Sequence, residues 1–276
     1  MRIAQIVLLI ISLLLLTALT QVGGIVLLAS IGLWWVIKKR IRKTWIRYVA
    51  PVGVFCALYL IATFVIVPPI ARSYGRIPLS MFENEGLAPL NAWTCILNRN
   101  YVRRELADAT MDVARKMTVK YPGTVVHYLD AAFPFIDGFP LPPHLSHNDG
   151  KRLDLSFHYI DKKTGERSNE CPSFIGYGIC EGPRKGEEDM PAACESKGYW
   201  QYSYLQSIIP QDNKQLFEFD RERTKSLVYY FSRETDVSKI FIEPHLQKRL
   251  GLTSPKIKFH GCGAVRHDDH VHVQVY

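Results

Sequence analysis

Two short segments of the chain carry residue types that bind metal ions. In the first, His147 and Asp154 are separated by an Asp149-Gly150 turn signal and followed by alternating apolar residues, so a hairpin could direct both side chains inward. In the second, near the C-terminus, the two-residue period of a strand places His270 and His272 on one face. His147, Asp154 and one imidazole of the second segment would make three ligands, two imidazoles and one carboxylate. They leave the fourth tetrahedral position of Zn²⁺ open for water. That open position is what a catalytic zinc site needs.

Neither pair of residues is specific by itself. A surface hairpin and a polar terminal strand would explain each motif without a metal. The distribution of histidine favours the metal, because five of the nine histidines fall in these two segments and both segments adjoin alternating apolar runs. The five are His144, His147, His267, His270 and His272. The sequence therefore predicts one zinc site built from both segments.

The spacing of these residues resembles that of the zinc peptidases of the lysostaphin, D-alanyl-D-alanine peptidase and hedgehog group, whose signatures are Ser-His-x-x-Gly-x-x-x-Asp and a later His-x-His. The signature positions are filled here by Ser146, His147, Gly150, Asp154, His270 and His272. The layout is most similar to the penicillin-insensitive murein endopeptidase family, since His144 precedes the first ligand by three positions and the closing motif reads His-x-x-His-x-His. The resemblance covers residues 95–276. It departs at Asp269, where the dipeptidase branch has Glu, and in the added N-terminal membrane region.

The resemblance implies a zinc-dependent metallopeptidase that hydrolyses peptide bonds in peptidoglycan, as a D-alanyl endopeptidase or carboxypeptidase. It assigns the zinc ligands to His147, Asp154 and His272. It gives the proton-accepting role to His270 or, as second choice, to His267.

Other polar residues near the motifs have supporting roles in this interpretation. His144, like His267, is either a second choice for the proton-accepting role or a partner that orients the ligands. One of Asp268 and Asp269 would orient an imidazole, and the other is expected to be solvated. The alternative function is a catalytically silent zinc-binding scaffold at the cell envelope, which the hedgehog branch suggests and which a fourth protein ligand such as His270 would favour. A serine hydrolase is not indicated, because Ser146 lacks a Gly-x-Ser-x-Gly elbow.

Composition divides the 276-residue chain into unlike parts. Residues 1–70 are mostly apolar and predicted as a transmembrane region, residues 71–92 as a tether, and residues 93–276 as an extracytoplasmic zinc peptidase-like domain. The predicted spans are about residues 3–20, 24–37 and 48–70, with the third ending at Pro68-Pro69. If residues 21–24 do not form a turn, only two spans remain, and the domain still lies on the same side of the membrane.

The net charge of +8 is concentrated near the membrane. Six basic residues lie within residues 38–47, between apolar spans, where cytoplasmic loops of membrane proteins keep theirs. This pattern predicts the inner (cytoplasmic) membrane, with the C-terminal domain in the periplasm or outside the cell. A nucleic-acid partner is not indicated, because no basic, aromatic-interleaved surface or binding motif occurs. The predicted partners are peptidoglycan peptides and the membrane, and the oligomeric state stays open.

Five cysteines fall in the globular part, so at least one is unpaired. We expect one disulfide among Cys171, Cys180 and Cys194 and a second between Cys95 and Cys262. Such bridges would fit a domain outside the cytoplasm.

The predicted fold class is α+β, an antiparallel sheet with flanking helices that carries the zinc site, preceded by two or three transmembrane helices. Helices are predicted over residues 100–120 and 219–233, and strands over residues 153–160 and 264–275. Residues 161–198 are predicted as a stapled insertion. The aromatic residues that follow belong either to a substrate groove or to the core: Tyr199, Trp200, Tyr202 and Tyr204. Histidines outside the family pattern are interpreted as structural, namely His127, His158, His245 and His260.

Overall fold

Helices fill the N-terminal quarter of the chain, and strands begin only after it. The computed structural model describes residues 3–142 and 144–276, so Met1, Arg2 and Pro143 lie outside the described residues. In chain order the α-helices are α1 (Ile3–Thr20), α2 (Gly23–Ile37), α3 (Thr44–Ile61), α4 (Val67–Ser73), α5 (Trp93–Ile96), α6 (Arg104–Lys120), α7 (Met190–Ser196), α8 (Tyr204–Ile208), α9 (Arg221–Arg233) and α10 (Pro244–Arg249). The strands are β1 (Ile77–Pro78), β2 (Leu87–Pro89), β3 (Tyr101–Val102), β4 (Val126–Tyr128), β5 (Arg152–Ser156), β6 (Tyr159–Asp161), β7 (Arg167–Ser168), β8 (Phe217–Phe219), β9 (Val237–Phe241), β10 (Ile257–Lys258) and β11 (His270–Val275).

The central sheet has the strand order β10-β9-β11-β5-β4-β2. Its inner pairs are antiparallel as predicted, but the two edge pairs, β10 with β9 and β2 with β4, are parallel. Parallel neighbours need a crossover connection, and α6 and α10 lie within those connections. The protein is therefore a mixed α and β structure as predicted, with a mixed rather than a purely antiparallel main sheet.

The two faces of this sheet differ in chemistry. Leu153 and Leu155 of β5, with Val271 and Val273 of β11, are fully buried in the core that α6 and α9 also enter. Each such side chain stabilises the fold by roughly 1.5–3 kcal/mol. Because alternate residues of a strand point to opposite faces, Asp154 and the histidines of β11 lie on the side away from this core. The apolar alternation thereby fixes where the polar residues meet.

Among the described residues, two helices are long and apolar enough to cross a membrane, α1 and the continuous helix over Thr44–Ser73. The helix between them, α2, has 15 residues, fewer than a full span needs. It packs between α1 and α3. The turn that joins α1 to α2 occurs at Gln21, whose φ of 64° is in the left-handed region.

The predicted end of the third span at Pro68-Pro69 is wrong, because the helix continues to Ser73. A wide turn of the π type covers residues 62–66 immediately before the prolines. The prolines then occupy the first turn of α4, where a missing N–H is tolerated.

The predicted tether over residues 71–92 is also wrong. Within it, Arg76, Leu79 and Leu87 are buried, and β2 is an edge strand of the main sheet. Pro and Gly in this segment serve turns and an edge strand, where a missing N–H or a positive φ is accommodated. The folded domain therefore begins directly after the last long apolar helix.

The disulfide links Cys194 to Cys262, across 68 positions, which corrects both predicted pairings. Cys171 and Cys180 are free, and Cys95 lies buried in the core with its Sγ 3.1 Å from the Tyr128 hydroxyl. Spacing along the chain does not determine which thiols meet in space. The predicted insertion does contain ordered elements, β7 and α7, and its last helix carries one half of the disulfide.

Candidate metal centre

Three side chains predicted as ligands come together on the polar face of the sheet. Asp154 of β5 and His272 of β11 are direct partners across the antiparallel ladder. His147 reaches them from the loop before β5. Its Nε2 lies 3.3 Å from Asp154 Oδ1 and 3.1 Å from His272 Nδ1, and His272 Nδ1 lies 2.8 Å from the same Oδ1. All three residues are buried. They form a cluster that could hold a metal ion.

The tautomer of His147 supports this interpretation. Its Nδ1 is 3.0 Å from the carbonyl oxygen of Ala131, which can only accept, so Nδ1 carries the proton and Nε2 presents a lone pair to the cluster. A lone pair, a carboxylate and a second imidazole nitrogen thus converge on one space, which a cation would fill favourably. Ligands around Zn²⁺ at tetrahedral geometry are about 3.3 Å apart, close to the separations here. The donor set therefore fits a divalent ion of this kind.

The charge states also suit a cation. Burial alone would raise the pKa of the Asp154 carboxyl, but its interactions with the surrounding imidazoles of His147, His270 and His272 hold that pKa well below its usual range. Burial lowers the pKa of His272 to about 3, despite the neighbouring carboxylate. At neutral pH the site thus offers an ionised carboxylate and a neutral imidazole, the forms that bind metal.

His270 lies beside the cluster with one ring nitrogen engaged and one without a partner. Its Nδ1 contacts Asp269 Oδ1, and the other oxygen of Asp269 accepts a hydrogen bond of 2.6 Å from the Gly178 N–H. Its buried Nε2 has no hydrogen-bond partner among the described residues and lies 3.7 Å from Asp154 Oδ1. Although burial lowers it, the pKa of His270 is raised to about 9 by Asp154 and Asp269. Asp269 thus orients the imidazole, as predicted for one of the two aspartates.

The neighbouring aspartate has a different partner. Asp268 accepts two hydrogen bonds from Arg266, at 2.7 and 2.6 Å. His267, the second choice for proton transfer, precedes β11, which begins at His270 rather than at residue 264. Its ring lies 4.9 Å from that of His270, and burial holds its pKa well below the usual range.

His144 contacts the carboxylates rather than the ligand atoms. Its Nδ1 lies 3.1 Å from Asp130 Oδ2 and 3.5 Å from Asp154 Oδ2, and its Nε2 has no partner among the described residues. Asp130 is held in turn by two hydrogen bonds from Arg99, at 2.8 and 2.7 Å. The geometry matches the predicted supporting role of His144.

A cavity of about 370 Å³ opens over the cluster. Its walls are the loop that carries His144 and His147, residues 260–267, and the aromatic pair Trp200 and Tyr204. Trp200 is 72% exposed, whereas Tyr202 is buried, so the aromatic run supplies both groove and core. The Cys194–Cys262 disulfide ties the segment before Trp200 to residues 260–267. One covalent bond therefore joins two walls of the cavity.

Three residues of the site escaped the sequence analysis. His260, interpreted as structural, lines the cavity with its ring 5.4 Å from that of His267. The buried Glu243 accepts hydrogen bonds from the Tyr202 hydroxyl and from the His267 N–H, and burial raises its pKa to about 7. Tyr177 donates to Asp154 Oδ2 at 2.8 Å. None stands at a motif spacing that would have signalled it.

Tyr177→Phe tests whether this hydroxyl supports the site. The substitution keeps the ring and removes the donor to the buried Asp154 oxygen. We expect the affinity for Zn²⁺ to fall about 10- to 100-fold, which is typical for loss of a hydrogen bond to a ligand. Competition with a chromophoric chelator measures it. Tyr121→Phe is the matched control, since its hydroxyl bonds Ser226 far from the cavity. Equal affinities in the two variants would contradict the role of Tyr177.

Comparison of the chain with protein-family models finds no match, and comparison with curated proteins finds none either.

Proposed function

We propose that this chain is a membrane-anchored zinc metallopeptidase that hydrolyses peptide bonds in peptidoglycan. The observation that carries the proposal is the buried cluster of His147, Asp154 and His272 on the floor of a cavity, with the unpartnered Nε2 of His270 beside it. Three protein ligands with an accessible side are the arrangement of catalytic rather than structural zinc sites.

The chemistry divides between a bound ion and the chain. Zinc would act as a Lewis acid on the scissile carbonyl and lower the pKa of a water molecule to about 7. His270 accepts the water's proton at Nε2 and later delivers it to the leaving amine. Against the effect of burial, Asp154 and Asp269 raise the pKa of His270 to about 9. A cation at the cluster would balance the charge of Asp154 and favour the neutral imidazole, whose Nε2 can act as a base. Asp269 holds the ring in the orientation that this transfer requires.

The walls of the cavity account for peptide binding. A volume of about 370 Å³ lies at the lower end of the range for small-molecule sites and accommodates a short peptide segment. Trp200 and Tyr204 offer apolar ring surface next to polar imidazoles. The choice of peptidoglycan as substrate rests on the resemblance of the two histidine motifs to murein-cleaving peptidases and on the apolar helices that precede the domain.

The proposed location is the cytoplasmic membrane with the domain on the outer side. The basic residues within 38–47 lie between α2 and α3 and in the first turn of α3, at the opposite end of these helices from the turn at Gln21. That turn contacts the globular domain through Phe135. Basic loops remain in the cytoplasm, so the domain would face outward and α2 would complete a three-helix anchor. The disulfide supports this side, since such bonds persist in oxidising compartments.

The test of the function is digestion of purified sacculi by the full chain in detergent. We expect soluble peptides, identified by mass spectrometry, whose release stops after treatment with a chelator and returns on addition of Zn²⁺. The cleaved bond follows from the masses of the products. Absence of release by a protein that holds one zinc per chain would reject the peptidase and leave the scaffold. Undiminished release after complete metal removal would reject the zinc mechanism.

A further inference from the structure

The loop that supplies His147 is closed at its base by one backbone hydrogen bond. We call residues 138–142 and 144–148 the metal-ligand loop. Its neck is the bond from the Gly138 N–H to the Asn148 carbonyl oxygen, at 2.9 Å. The other two proposed ligands lie on paired strands inside the sheet, so the ladder fixes their separation. The position of this loop therefore decides whether the third ligand reaches the cluster.

A buried arginine holds both sides of the neck. Arg76 lies three positions after the end of α4, and its side chain is inaccessible to solvent. Its guanidinium donates to the Phe133 carbonyl and pairs with Asp137 on the incoming side, and it lies 3.3 Å from the Asn148 carbonyl on the outgoing side. The guanidinium of Arg76 thus joins the incoming and outgoing segments of the neck to the segment that follows α4.

A second arginine closes the same junction from the domain side. Arg103 pairs with Asp137, donates to the Asp149 carbonyl at 3.0 Å, and donates to the carbonyl of Tyr74, directly after α4, at 2.9 Å. Its own N–H bonds the Gly150 carbonyl at 2.7 Å. Membrane helix, neck and domain therefore share one hydrogen-bond network.

Gly150 is required by this packing. Its φ is +76°, and a Cβ at this position would lie 3.3 Å from Arg76 Nε and 3.4 Å from the backbone nitrogen of Arg103. A side chain here would strain the backbone and press on the guanidinium at once. The glycine that belongs to the sequence motif thus allows the neck to close against Arg76.

The tip of the first helical hairpin reaches the same place. The side-chain oxygen of Gln21, in the turn between α1 and α2, accepts a hydrogen bond of 2.9 Å from the Phe135 N–H. The Tyr74 ring lies 5.3 Å from the Phe135 ring. Residues 133–137, which lead into the neck, are therefore held by the turn between α1 and α2 and by the segment that follows α4.

We propose that the membrane region, through the turn at Gln21 and the segment that leaves α4, is a structural component of the metal centre, with Arg76 of that segment as the principal positioning residue and Gln21 as a second contact. Arg76 acts through the neck, which places His147 opposite Asp154 and His272. This inference rests on the proposed metal site. It means that the membrane helices do more than tether the domain, because a change in their packing alters metal affinity.

The experiment uses the full chain in detergent, with Arg76→Gln, Arg76→Lys and Gln21→Ala. Arg223→Gln is the matched control, because Arg223 is equally buried, pairs with Asp220, and donates to the carbonyls of Tyr159 and Ser168 away from the cavity. One readout is the zinc dissociation constant, measured by chelator competition. The other is hydrogen exchange of the backbone amides of residues 138–150 after removal of the metal.

We expect Arg76→Gln to raise the dissociation constant about 10- to 100-fold and to accelerate exchange at the neck. Arg76→Lys keeps the charge without the fork of donors and should recover part of the affinity. Gln21→Ala should show a smaller loss in the same direction. Arg223→Gln should leave metal affinity within about twofold and exchange at the neck unchanged. Arg223 does not contact the neck, and the proposal expects the dissociation constant to rise only for residues that act through the neck.

Equal loss of affinity in Arg76→Gln and Arg223→Gln, or unchanged exchange at the neck in Arg76→Gln, would overturn the proposal. If Arg76→Gln does not fold, Arg76→Lys and Gln21→Ala decide by the same readouts. If the wild type itself binds no zinc, the proposed metal centre fails, and exchange at the neck alone then decides whether the membrane region holds the loop.

Discussion

An Asp154→Asn chain is expected to purify without metal and to gain none when zinc is added. Asp154 Oδ1 is the atom that both His147 Nε2 and His272 Nδ1 approach, at 3.3 and 2.8 Å, so it is the centre of the proposed ligand set. Replacing the anionic ligand by a neutral amide should cost more than the 10- to 100-fold loss typical of an outer hydrogen bond. Elemental analysis of the full chain measures the metal content directly.

Thermal unfolding gives a second measurement of the same change. A ligand that binds only the folded state stabilises it by about 4 kcal/mol at 1,000 times its dissociation constant. Zinc should therefore raise the Tm of the chelator-treated wild type and leave that of Asp154→Asn unchanged. The matched control is Asp220→Asn, a buried carboxylate that caps α9 and pairs with Arg223. One zinc per chain in Asp154→Asn would show that the three residues do not form the site.

The three residues of the cluster could be predicted from the sequence because each half of the candidate site is local. A two-residue period fixes the face shared by His270 and His272, and apolar alternation fixes the face of Asp154. The meeting of the halves was predicted from the clustering of histidines in the two segments and from the motif resemblance. The structure supplies the cause, since β5 and β11 pair in a register that sets His272 opposite Asp154.

Residues that support the site could not be predicted, because they come from segments without periodic signals. Tyr177 lies in the glycine-rich insertion, and His260 follows the short strand β10. Their positions depend on the way in which the long connecting segments fold over the sheet. The same limit explains the wrong disulfide, since Cys262 meets Cys194 only after both walls of the cavity are in place.

The segment after the last long apolar helix shows a different limit. Pro and Gly between residues 71 and 92 are typical of a linker. The tether was predicted from these residues, although apolar residues that could enter a core lie in the same segment. In the structure Leu79 and Leu87 join the core, and Arg76 is buried at the neck. A buried arginine is predictable only when its acceptors are known, and those of Arg76 lie 57 or more positions away.

The substitution His270→Gln should separate catalysis from metal binding. Its Nε2 has no partner among the described residues and faces the cluster, whereas its Nδ1 is held by Asp269. Removing a positioned proton acceptor typically costs 10²- to 10⁴-fold in rate. We therefore expect one zinc per chain and a loss of peptide release of that size, measured as initial rates on sacculi. His127→Gln is the control, since His127 contacts the Pro89 carbonyl outside the cavity.

The metal content of His270→Gln distinguishes the two functions considered for this fold. If zinc is retained and activity lost, His270 transfers protons and the peptidase is supported. If the wild type releases no peptide and the variant loses its zinc, His270 is a fourth protein ligand, the coordination is closed, and the silent scaffold is favoured. If both are retained, the proton passes through another group, and His267, whose ring lies 4.9 Å from that of His270, becomes the residue to replace next.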